Sequence, residues 1–137
     1  MIVIRPAHSG DCERIAAIQK ASPEGAQWQP GAYLAFECTA AEVAGHLAGF
    51  LAVRRTAPGE AEILNLAVAP EYRRQGVARA LLEEFLNNHR GECFLEVRAS
   101  NRAALALYQS FRFERVGLRP NYYSHPPESA IVMRRLS

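Results

Sequence analysis

The chain is poor in several things that would each commit it to a class. It has three cysteines in 137 residues, Cys12, Cys38 and Cys93, and no C-x-x-C pair. Three scattered thiols do not make a disulfide framework. His8, His46, His89 and His125 stand far apart with no paired-histidine motif, so no metal site is expected. Lysine is almost missing: Lys20 is the single one among sixteen cations, and the rest are arginine. Against fourteen acids this leaves a net charge of +2, too small an excess for a general nucleic-acid binder. No apolar run approaches the ~20 residues of a membrane span. The opening "MIVIRPAHSGDCERI" lacks the charged start and long apolar centre of a signal peptide. The expectation is a cytoplasmic protein without metal or membrane, of a length suited to one domain over residues 1–137.

What the sequence has is arginine in one unexpected place. From Gly76 onward, Val77, Ala78, Leu81, Leu82, Phe85 and Leu86 form one apolar stripe at helical spacing. A helix N-terminus carries partial positive charge and favours acids. Yet Arg73 and Arg74 stand just before this helix and Arg79 falls in its first turn.

The rest of the chain divides into short elements. "IVIRP" (Ile2–Pro6) reads as a strand, followed by a helix from about Asp11 to Ala21 that buries Ile15 and Ile18. "SPEGAQWQPGAY" (Ser22–Tyr33) is a Pro- and Gly-rich loop with one helical turn, the kind of segment that lines a site. Two strands follow within Phe36–Thr56, joined near Ala44–Gly45, and after the turn "APGE" a strand covers Glu62–Pro70. The arginine-flanked helix runs to about Asn88, with His89 and Arg90 beyond its end, where cations are favoured. "ECFLEV" (Glu92–Val97) is a strand and Ser100–Phe111 a helix with Ser100 as its N-cap. Arg112–Leu118 is a strand, Asn121–Ser129 a loop, and Ala130–Leu136 the last strand. Strand–helix–strand from Glu62 to Val97 implies a parallel pair joined by a crossover. The hairpin-linked strands before it imply antiparallel pairing. The fold class is α/β (α+β), a mixed, mostly antiparallel sheet with helices on both faces.

A glycine at a strand-to-helix junction lets a ligand approach the backbone. Free amides of the first turn then point at it, and with the dipole they form an anion site. Gln75, Gly76, Val77, Ala78 and Arg79 would supply amides; Arg73, Arg74 and Arg79 would add side-chain charge. The anion best suited is the pyrophosphate of a bound cofactor, the alternative being that these arginines are solvated surface residues. Neither G-x-x-x-x-G-K-[ST] nor G-x-G-x-x-G is present, so a P-loop or dinucleotide site has little support.

Arg73-Arg74-Gln75-Gly76-Val77-Ala78 resembles the [QR]-x-x-G-x-[GA] loop of the GNAT acetyltransferase superfamily. "AEILNLAVAPEYRRQGVARALLEEF", "FLEVRASNRAALALYQSF" and "RPNYY" together resemble its ribosomal-protein alanine N-acetyltransferase (RimI-like) branch. The resemblance runs strongly from about Glu60 to the C-terminus and is weak before it. It implies a GNAT fold whose central parallel strands splay apart. It also implies acetyl-CoA as cosubstrate, with the pyrophosphate on the Gly76 loop and the pantetheine arm on Leu66, Ala67 and Val68. Asn101 would hydrogen-bond the cofactor.

Asn101 and Tyr108 are seven residues apart, nearly two helical turns, so both look the same way. With Glu96 on the preceding strand they bring three polar groups together beside the parallel pair. Amine acylation needs a neutral nucleophile and a protonated leaving thiol. Glu96 is the candidate general base, through a water, and Tyr108 the candidate general acid, each role contributing ~10²–10⁴ in rate. Cys93 has no histidine to activate it and reads as a buried small residue. Trp28, Tyr33 and Phe36 read as either substrate wall or core. Tyr122 and Tyr123 read as either peptide contacts or part of a surface loop. Two positions depart from the family pattern: Arg112 replaces a glycine after the last helix, and Ala78 stands where many relatives have glycine. Three functions stay open. The first is transfer to the N-terminal α-amine of a peptide or protein, such as a ribosomal protein. The second is transfer to a small-molecule amine, and the third a non-catalytic acyl-CoA-binding module.

Overall fold

The computed structural model describes every residue except His125, and Pro30 by its backbone only. Its elements follow the anticipated order: β1 (Ile2–Pro6), α1 (Cys12–Lys20), β2 (Glu37–Val43), β3 (His46–Ala57), β4 (Glu60–Val68), α2 (Val77–Asn88), β5 (Glu92–Arg98), α3 (Arg102–Ser110), β6 (Glu114–Ser124) and β7 (Pro127–Leu136). The strands form one seven-stranded sheet in the order β1-β2-β3-β4-β5-β7-β6. Every neighbouring pair is antiparallel except β4 with β5. No helix among the described residues is long and apolar enough to cross a membrane.

Alternation along β2 and β3 explains why both faces are covered. Ala41, Leu51 and Val53 enter one core with Leu81, Leu82, Phe85 and Leu86 of α2. Their neighbours Ala40, Phe50 and Ala52 enter a second core with Ile15 and Ile18 of α1. Side chains of period 2 on a strand meet stripes of period 3.6 on helices, one on each face.

One residue resets that alternation in β4. Ala52 pairs with Asn65 while Val53 pairs with Ile63, so Leu64 is an extra residue, a β-bulge. Before it, Ala61 and Ile63 belong to the α2 core. After it, Ala67 belongs to the α1 core, while Leu66 and Val68 pack toward α2. The bulge also ends the parallel pairing. β4 and β5 are matched from Glu60–Glu92 to Ile63–Leu95 and no further. β4 continues on β3 to Val68, and β5 continues on β7 to Arg98. The expected splay is present, and an extra residue bending one strand is its cause.

Two local expectations are corrected, and the settings of His89 and Arg112 are resolved. Asn101, not Ser100, caps α3: its side chain accepts from the Ala104 amide at 3.2 Å. The segment read as a loop at Asn121–Ser129 is mostly strand, since β6 runs to Ser124 and β7 begins at Pro127. A register shift between Arg119 and Tyr123 absorbs its irregularity. His89, just past the end of α2, is 2% exposed. Its Nδ1 takes a bond from the Arg55 guanidinium at 2.7 Å, and its Nε2 meets the Glu92 carbonyl at 2.9 Å. Arg112 accepts the left-handed conformation, φ 70°. It does so inside a Schellman-type end, in which Phe113 donates to the Tyr108 carbonyl and Arg112 to that of Gln109. The Phe113 ring packs edge-on against Tyr108 at 5.5 Å, the hydrophobic contact that accompanies this motif.

Candidate active site

The gap between β4 and β5 leaves main-chain groups without a strand partner. Ala69 donates to the Ala48 carbonyl, across toward β3. The Val68 carbonyl therefore points the other way, into the gap, where it meets Arg73 Nε at 3.3 Å. Peptide groups alternate along a strand. Leu66 and Val68 thus turn their N–H groups to the gap, while the main chain of Ala67 faces β3. Of the three residues expected to hold an arm through the backbone, Ala67 turns its main chain the other way.

At the mouth of the gap, Gly76 caps α2 with φ 83° and ψ 13°, a left-handed conformation. A β-carbon there would meet no atom within 4 Å, so the turn opens outward. The cap has no side chain, and the first intrahelical bond is Ala80 N–H to the Gly76 carbonyl at 2.9 Å. The amides of Val77, Ala78 and Arg79 lack intrahelical acceptors, as every helix start requires. This surface fits an anion bound through the main chain.

The arginines divide their work. Arg73 spends its donors inside the protein, on the Val68 carbonyl, the Ala21 carbonyl and Ser22 Oγ. Arg79 bonds Ser110 Oγ at 3.1 Å and lies over the Phe111 ring. The side chain of Gln75 folds back to the Glu71 carbonyl. Arg74, itself at φ 62°, has no hydrogen-bonding or ionic partner among the described residues. Of the three arginines at this turn, it is the one whose donors carry no bond among the described residues.

These features line one cleft of about 430 Å³. It runs from Arg74, Gly76, Val77, Ala78 and Arg79 along Leu66–Val68 to Asn101 and Tyr108. Its far wall is apolar α3: Ala103, Ala104 and Leu107. Tyr108 is 6% exposed, and burial pushes its phenol well above the usual value. It also lines a smaller cavity of about 70 Å³, together with Glu96, Asn65 and Glu24. Tyr108 thus holds a proton where two cavities meet.

Beyond that junction lies a third cavity of about 650 Å³. Glu96 opens into it, with Trp28, Glu62, Arg98, Tyr122 and Tyr123 around it. Glu96 sits within β5 rather than at its end. Both of its oxygens accept from Arg119 Nη1, at 2.9 and 3.1 Å. Arg119 in turn lies over the Tyr122 ring at 4.3 Å, and Arg98 over Tyr123 at the same distance. Burial and the nearby Glu96 charge push the Tyr123 hydroxyl up to about 12.

Comparison with known proteins places this geometry. Residues 8–113 match the model of the acetyltransferase (GNAT) family. The chain belongs to the acetyltransferase (GNAT) family. It is 47% identical to the N-alpha-acetyltransferase RimI of Mycobacterium tuberculosis over 64% of this chain. It is 38% identical to a Mycobacterium leprae protein over 98% of this chain. It spans 56% and 40% of the lengths of those two relatives. The crystal structure of the ribosomal-protein-S18-alanine N-acetyltransferase from Escherichia coli superposes with a TM-score of 0.83 at 30% identity. That match covers 98% of this chain and 92% of the other.

Within this GNAT fold most residues singled out from the sequence come together. Twelve positions were expected at the cofactor, and all but Gln75 line the main cleft. Tyr33, read as either substrate wall or core, is core: it is fully buried, and its hydroxyl bonds Gln19 and Asn65. Trp28 stacks on it at 5.6 Å and still lines the third cavity. Phe36 meets Trp28 edge-on at 5.9 Å. Cys93 is buried as expected, its thiol pushed up to about 12. Sequence reasoning missed Glu24, which lines both the cleft and the junction, and Arg119. The "SPEG" stretch carried a general signal for the first; nothing local marks the second.

Proposed function

We propose that the protein is an acetyl-CoA-dependent N-acetyltransferase acting on the N-terminal α-amine of a protein, with a ribosomal protein as the first acceptor to test. The observation that carries this reading is the continuity of three cavities. An anion-holding cleft leads along unpaired main chain to Tyr108, and Tyr108 adjoins a polar cavity at Glu96. The names of the relatives support the acceptor class. Acetyl-CoA supplies the acyl group. Arg74 and the amides of Val77, Ala78 and Arg79 hold its diphosphate, and the N–H groups of Leu66 and Val68 hold the arm. An N–H facing the gap also stabilises negative charge on the carbonyl oxygen under attack.

Tyr108 keeps its proton at neutral pH and gives it to the departing sulfur. Glu96 takes a proton from the incoming ammonium through water, once Arg119 Nη1 releases one of the carboxylate oxygens. An α-amine, pKa about 7.7–8.0, needs about 3.4 kcal/mol less deprotonation work than a lysine at about 10.4, which suits a carboxylate base. The cavity around Tyr122 and Tyr123 is wide enough for a chain terminus. Incubation with acetyl-CoA and peptides beginning Ala, Ser, Met or Gly, beside spermidine and free lysine, tests the reading by thiol release and mass spectrometry. Acetylation of a peptide α-amine is expected. Turnover of spermidine alone would reassign the acceptor, and no turnover with any amine would remove the activity.

A further inference from the structure

The loop of residues 21–29 lines all three cavities: Ser22 and Glu24 the cleft, Gly25 and Ala26 the junction, Gln27 and Trp28 the acceptor side. It carries no regular secondary structure beyond turns, so something else must fix it. Part of the hold comes from α1, where Gln19 bonds the Trp28 carbonyl and amide through its side chain. Part comes from the bulged stretch of β4, where Asn65 bonds the Ala26 carbonyl at 3.0 Å. Within the loop, Gln27 Nε2 donates to the Gln19, Ser22 and Gly25 carbonyls, and a further hold comes from the anion loop itself. Arg73 reaches back to the Ala21 carbonyl and Ser22 Oγ, both at 3.1 Å, while its Nε holds the Val68 carbonyl. Ser22 is only 6% exposed, so its hydroxyl is seated rather than solvated. A planar guanidinium can span such a set of oxygens, and an ammonium cannot.

We infer that Arg73 is a positioning residue that fixes the acceptor loop against the end of β4, not a ligand of the diphosphate. It lies in the arginine pair of the anion motif, yet its Nη2 is bonded to the loop and its Nε to the Val68 carbonyl at the end of β4. The loop then stands in register with the strand end where transfer occurs, and acceptor binding depends on it. This rests on the acetyltransferase reading for its kinetic arm and on geometry alone for its structural arm.

The test uses the full chain with Arg73→Ala, Arg73→Lys and Arg74→Ala. Hydrogen exchange across residues 21–29, measured without any ligand, reads the clasp directly. Arg73→Ala is expected to speed exchange there at least tenfold, Arg73→Lys to a lesser degree, and Arg74→Ala not at all. Calorimetry with coenzyme A is expected to leave the Arg73→Ala dissociation constant within threefold of wild type and to weaken Arg74→Ala about tenfold. With a peptide acceptor, Arg73→Ala is expected to raise acceptor KM about tenfold, with kcat within threefold. Unchanged exchange in Arg73→Ala overturns the inference. So does a coenzyme A affinity lost in Arg73→Ala with acceptor KM unmoved. If no variant, wild type included, binds coenzyme A, the acetyltransferase reading falls, and the exchange result alone decides the clasp.

Discussion

The two halves of the site are built from different material. The cleft beside α3 offers main-chain groups, the amides at the start of α2 and the strand groups exposed by the bulge at Leu64, against an apolar wall. The cavity beyond Glu96 gathers single residues from separate elements: Trp28 from a loop, Glu96 from β5, Tyr122 and Tyr123 from β6. Main-chain recognition demands little of sequence beyond a glycine that can take φ 83° and small neighbours. Side-chain recognition demands particular residues brought from distant positions. The first kind of site leaves a compact motif, and the second leaves scattered singletons.

The comparison predicts where substitutions bite. Tyr108→Phe removes the proton donor at the junction and leaves the cleft wall intact. Turnover should fall ~10²–10³-fold, while coenzyme A affinity by calorimetry stays within about twofold. Glu96→Gln should lower kcat/KM ~10²-fold or more, again with coenzyme A affinity kept. Rates unchanged in both variants would leave the cleft a binding site without this chemistry. Gly76→Val attacks the main-chain half. A branched residue at positive φ is strained by about 1–2 kcal/mol, so coenzyme A affinity should drop about tenfold or more, with a lowered melting temperature.

A smaller effect concerns the junction of β1 and α1. Asp11 caps the chain ahead of α1, accepting from the His8 amide at 2.9 Å and from Arg5 through both oxygens. The Arg5 guanidinium holds its carboxyl down at about 2, below the ordinary value of about 3.9. The unfolded chain therefore binds this proton first. Stability from the pair is complete above about pH 4 and is lost as pH falls through about 2. Acid unfolding followed by circular dichroism should show this step in the wild type and lack it in Asp11→Asn. The smallest effect is a gain: Arg112→Gly relieves φ 70° at the end of α3 and should stabilise by about 0.5–1 kcal/mol, read as a higher denaturant midpoint.

Legibility in the sequence follows the same division. The order of elements and the Gly76 turn could be read because each is encoded locally by period, punctuation or motif, whereas the splayed pair came only from the family resemblance. The family resemblance beginning near Glu60 covers that local code. The Leu64 bulge could not be placed, although Ile63-Leu64 does interrupt the alternation around it. Tyr33 was ambiguous, since only the contacts with Gln19 and Asn65 distinguish a core ring from a substrate wall. The Arg119–Glu96 pair joins positions 23 residues apart in chain order, and no local pattern announces it. The strand character of Asn121–Ser124 was hidden because Pro, Asn and Ser are turn residues in isolation, and here pairing with β7 overrides them.

Titration of the isotope-labelled protein with coenzyme A, read amide by amide in NMR spectra, tests the main-chain half most directly. The amides of Val77, Ala78 and Arg79, with those of Leu66 and Val68, should move together and saturate at one dissociation constant, while Ala67 moves less. Saturable shifts confined to other surfaces, with the start of α2 silent, would contradict it.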